Sequence, residues 1–67
     1  MQNHVESLRR ARDLSQEQLG DALGVSRQTI ISIEKGKYNP SLDLAFRMAR
    51  FFEMTIEEIF VYEEDVK

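Results

Sequence analysis

Apolar residues recur along this 67-residue chain every three or four positions rather than every second one. That is the spacing of helices turned toward a shared core. Val5, Leu8 and Ala11 predict one face of a first helix over residues 5–12. Leu19 and Leu23, then Val25, Ile30 and Ile33, mark two short helices that meet at Gly24. Leu42, Ala45, Phe46, Ala49 and Phe52 form a continuous stripe on a fourth helix over residues 42–52. The polar positions between these runs say where each helix starts. Ser15 with Gln18, and Thr55 with Glu58, have the spacing of capping boxes, the second opening a short fifth helix over residues 56–60. Ser26 and Ser41 are suited to N-cap the third and fourth helices, and Gly24 and Gly36 to end the second and third. Pro40 favours an extended Asn39 before the fourth helix. The pattern predicts an all-α fold of five helices, with residues 1–60 as the domain and 61–67 as a tail. Val61 and Tyr62 fit a strand, a helix extension or a frayed end.

The most informative stretch is 16–35. Two amphipathic helices join there at a glycine suited to positive φ, and a small residue, Gly20, sits where one helix must press on the other. Such a pair is the pattern of a helix-turn-helix, whose second helix enters the major groove of DNA.

The chain resembles the Cro/cI-type helix-turn-helix family, the lambda-repressor-like DNA-binding domain with five helices. The resemblance is carried by Leu14-Ser15-Gln16-Glu17-Gln18-Leu19, by Leu23-Gly24-Val25-Ser26-Arg27-Gln28-Thr29-Ile30 and by Ile33-Glu34-Lys35-Gly36. Asn39-Pro40-Ser41-Leu42 and Ile56-Glu57-Glu58-Ile59-Phe60 continue it, so that it spans about residues 3–60. By resemblance, Gln16 contacts a phosphate, and Glu34 pairs with Arg9 of the first helix in a structural ion pair. The family often has alanine where this chain has Gly20, a departure that weakens the second helix by about 0.5–1 kcal/mol.

The net charge of −3 weighs against a nucleic-acid partner until its distribution is considered. Residues 1–52 carry +2 and residues 53–67 carry −5, so the acid lies outside the helix-turn-helix. Few cations imply weak, salt-sensitive non-specific binding. No cysteine is present, which excludes disulfides and thiolate metal sites. No apolar run suggests a signal peptide or a membrane span, and a soluble, cytoplasmic protein is expected. His4 stands alone as a surface residue without companion metal ligands. No nucleophile–base pair or phosphate loop points to an enzyme, and no cofactor is expected. Phe46, Met48, Phe51, Phe52 and Phe60 sit at helical spacing as core or interface residues, and Glu63-Glu64-Asp65 reads as a solvated tail.

Double-stranded DNA is the expected partner. The first turn of the third helix offers Ser26, Arg27, Gln28 and Thr29 to base edges, with Ser32 one turn on. Arginine grips guanine and glutamine grips adenine through paired hydrogen bonds. Thr29 serves equally well as a partner inside the turn. Besides Gln16, the phosphate contacts fall to Lys35, Lys37, Tyr38 and Asn39, in or beside the loop after the third helix. Arg10 and Arg12 are left solvated or near phosphate. One recognition helix reads few base pairs, so a homodimer on a pseudo-palindromic operator is expected, acting as a repressor. Ile56, Phe60, Val61 and Tyr62 are the expected dimer contacts. The competing reading is an antitoxin-like module that binds a toxin, with DNA binding secondary.

Overall fold

Among the described residues, four of the five helices begin where a short hydroxyl side chain accepts a backbone N–H. In the computed structural model, which describes residues 1–62, these are α2 Gln16–Leu23, α3 Arg27–Glu34, α4 Leu42–Phe52 and α5 Ile56–Ile59, preceded by α1 Val5–Ala11. Ser15 Oγ accepts the Gln18 N–H at 3.0 Å while Gln18 Oε1 accepts the Ser15 N–H at 2.8 Å, and Thr55 and Glu58 repeat that box on α5. Ser26 and Ser41 cap α3 and α4. Gly24 ends α2 and Gly36 follows α3, each at φ +76°. α5 stops one residue early, because Phe60 turns to extended backbone and bridges Asn3 antiparallel. Val61 also donates to the Gln2 carbonyl. This bridge, rather than a strand or a helix extension, is where the tail begins; the remainder, with Glu63, Glu64 and Asp65, lies outside the described residues.

The core is built from Val5, Leu19, Leu23, Ile30, Ile33, Leu44, Ala45, Met48, Phe52, Ile59 and Phe60. Two expected faces differ from it. On α1, Ala11 is exposed and Arg9 takes the buried position instead, because its charge is met inside the protein, as described below. On α4, Leu42 is 71% exposed and Phe46 53% exposed, while Leu44 and Met48 are buried. Apolar residues cover the wide face of this helix opposite Asp43, Arg47 and Arg50, too wide for periodicity alone to say which part is enclosed, and packing against α2 and α5 selects it.

Candidate nucleic-acid interface

The first turn of α3 separates structural from available side chains. Ser26 Oγ accepts the Thr29 N–H at 3.1 Å and lies 2.9 Å from Thr29 Oγ1. The two hydroxyls therefore close the turn upon each other, and Thr29 is half-buried. Arg27 and Gln28, between them, are exposed and, among the described residues, take part in no side-chain hydrogen bond or ion pair. Ser26, Gln28, Thr29, Ser32 and Tyr38 line a shallow cleft of about 200 Å³. Tyr38, expected at phosphate, thus lies beside the residues expected to read bases. Lys35, Lys37 and Asn39 are exposed, with the Lys37 N–H held by the Ser32 carbonyl at 3.0 Å.

The acid on this face is neutralised internally. Arg9 Nε donates to Glu34 Oε2 at 2.7 Å and Arg9 Nη2 to Oε1 at 3.3 Å, with the two side chains 9% and 4% exposed. Arg9 Nη1 also donates to the Leu14 carbonyl at 2.8 Å. The hydrogen bond donated to Glu34 raises the Arg9 pKa above its ordinary value, against the opposing effect of burial. Gln16 Nε2 donates to the same carboxylate, at Oε1 and 3.1 Å. A negative charge that would repel phosphate is thereby enclosed by one cation and one amide.

The two arginines expected to be solvated or near phosphate are exposed, each with a partner of its own. Arg10 forms an exposed pair with Glu6 at 2.7 Å. Arg12 lies over the Phe51 and Phe52 rings, 5.4 Å from each centroid, and donates to the Phe52 carbonyl. Stacking on two aromatic faces holds it on the α4 side of the molecule.

Two further residues were not legible in the sequence. Asn3 Nδ2 donates to the Ile33 carbonyl at 2.8 Å while its Oδ1 accepts the Val5 N–H. One amide thus caps the end of α3 and starts α1. Arg47 Nη1 donates to the Leu23 carbonyl at the end of α2. An asparagine near a helix start hints at capping; nothing local indicates the second partner.

The family model for helix-turn-helix proteins matches residues 5–59. The chain belongs to the helix-turn-helix family. It is a DNA-binding transcriptional regulator rather than an enzyme. An uncharacterized HTH-type transcriptional regulator of Methanocaldococcus jannaschii is 58% identical over 65 residues, covering 97% of this chain and 98% of its own. The cryptic phage CTXphi transcriptional repressor RstR of Vibrio cholerae is 34% identical over 55 residues, 82% of this chain and 50% of that one. Among solved structures, the restriction-modification controller protein C.AhdI of Aeromonas hydrophila superimposes with a TM-score of 0.75 at 32% identity, covering 85% of this chain and 86% of that one. No helix among the described residues of this regulator is long and apolar enough to cross a membrane.

Proposed function

We propose that the regulator is a sequence-specific repressor that binds a pseudo-palindromic operator as a homodimer. The observation that carries this reading is the division of labour in the first turn of α3. Ser26 and Thr29 satisfy each other, which leaves Arg27 and Gln28 exposed side by side for paired hydrogen bonds to guanine and adenine. Ser32 and Tyr38 extend that surface across the cleft. Lys35, Lys37 and Asn39 on one side and Gln16 on the other are suited to grip the flanking phosphates. A phage repressor and a transcriptional activator are both among the relatives, so repression is decided by the promoter measurement below; no comparison favours the antitoxin reading, which is dropped.

The dimer reading rests on surface that the fold leaves uncovered. Leu42 and Phe46, four residues apart, project from α4 away from the core. Beside them, Pro40, Leu42, Ala45, Ile56 and Phe60 line an apolar groove of about 330 Å³. Ile56 and Val61 are half-buried and Tyr62 is exposed, whereas the Phe60 ring is largely committed to the chain's own core. The sequence-based interface is therefore extended to include Leu42 and Phe46.

Selection of bound fragments from a random DNA pool at physiological salt tests the reading. Enrichment of inverted repeats with half-site centres about one helical turn apart is expected. A pool with no enriched sequence refutes it. Placing the selected site across a promoter and measuring transcription then separates repression from activation.

A further inference from the structure

We infer that Glu34 is a positioning residue for DNA binding, one that turns the Gln16 amide so that an N–H faces the phosphate backbone. This rests on the reading of Gln16 as a phosphate contact. A glutamine amide has a donor end and an acceptor end of nearly the same shape, and only surrounding groups decide which way it points. An ionised carboxylate only accepts, so Glu34 Oε1, 3.1 Å from Gln16 Nε2, admits the nitrogen and refuses the amide oxygen. The opposite orientation would present an oxygen to Glu34 and change which end meets a phosphate.

The nitrogen carries two N–H bonds about 120° apart, and Glu34 uses one. Among the described residues, the Gln16 amide takes part in no other side-chain hydrogen bond. The second N–H is therefore left without a protein partner at the first residue of α2, where the backbone dipole also favours an anion. The carboxylate can hold this post without repelling DNA because Arg9 neutralises it through two hydrogen bonds. Arg9 is anchored in turn by the Leu14 carbonyl, two residues before Gln16. The ion pair thus sets the polarity of a contact that neither of its members makes.

The test replaces single operator phosphates with neutral methylphosphonates and measures affinity against protein variants. In the wild-type protein, neutralising one phosphate per half-site should weaken binding by about tenfold, the scale of a hydrogen bond to a charged group. Gln16→Ala should lose a similar factor and become insensitive to that methylphosphonate. Glu34→Gln removes the acceptor-only partner and should be insensitive in the same way. Because it leaves Arg9 unpaired in the interior and can unfold the chain, the paired change Arg9→Met with Glu34→Leu is the second variant. It keeps the site filled with apolar groups. That pair should bind more weakly than wild type and show no response to the methylphosphonate. A merely structural role for Glu34 would lower affinity while leaving the wild-type response intact, and that result overturns the proposal. DNA binding that persists with Gln16 coupled to no phosphate overturns the positioning role alone. Absence of any preferred DNA sequence sinks the functional reading and the positioning role together.

Discussion

A Cβ placed on Gly20 would stand 2.7 Å from the Val25 carbonyl oxygen. The Val25 N–H in turn donates to the Gly20 carbonyl at 2.9 Å, so the chain leaving α2 folds back onto the helix at this residue. Glycine here is required by a backbone approach and is more than a weak point in helix propensity. Gly20→Ala gains about 0.5–1 kcal/mol of helix propensity but forces backbone against side chain, at a cost of about 1–3 kcal/mol. Net destabilisation is expected in urea denaturation. An alanine variant as stable as wild type would show that the turn yields without penalty.

The Arg9–Glu34 pair gives a second expectation. Glu34→Ala strands a guanidinium in the interior and should reduce stability by about 3–5 kcal/mol. That is a large fraction of what a domain of this size possesses. Replacing both partners by Met and Leu should cost under about 1 kcal/mol, since no charge is then left unpaired. Thermal unfolding of the single and double variants decides the matter. Equal losses in the two would show that the pair itself, rather than the orphaned charge, holds the helices.

Leu42 and Phe46 separate assembly from folding. Both side chains lie outside the core, so Phe46→Asp should preserve the circular dichroism spectrum and the unfolding midpoint measured at low protein concentration. In sedimentation the same variant should run as a monomer where the wild type runs as a dimer. Unchanged mass would move the interface elsewhere on the surface.

Arg27 and Lys37 should differ in the kind of affinity they supply. Arg27→Ala is expected to lose about 1–3 kcal/mol on the selected operator and to relax preference at one base position. Lys37→Ala should weaken selected and random DNA alike and reduce the dependence on salt by about one charge. Equal losses on both DNAs for Arg27→Ala would remove it from base reading.

The helix starts and most of their ends were legible in the sequence, because capping is decided within three or four residues. Ser15 with Gln18, Thr55 with Glu58, and Gly24 at positive φ behave as their spacing implies. The exposure of Arg27 and Gln28 follows equally from their place between the cap and the first buried isoleucine. What the tertiary structure decided joins residues far apart in the chain. Arg9 meets Glu34 across 25 positions, a pairing the sequence offered only through the family resemblance, while Gln16 meets Glu34 across 18 and Asn3 meets the Ile33 carbonyl across 30. No local pattern names such partners, since a polar side chain is buried wherever packing brings it a match. The same holds for α4. Its apolar face, opposite Asp43, Arg47 and Arg50, is wider than the core can enclose, and only the helices packed against it determined that Leu44 and Met48 would be enclosed and Leu42 and Phe46 left at the surface.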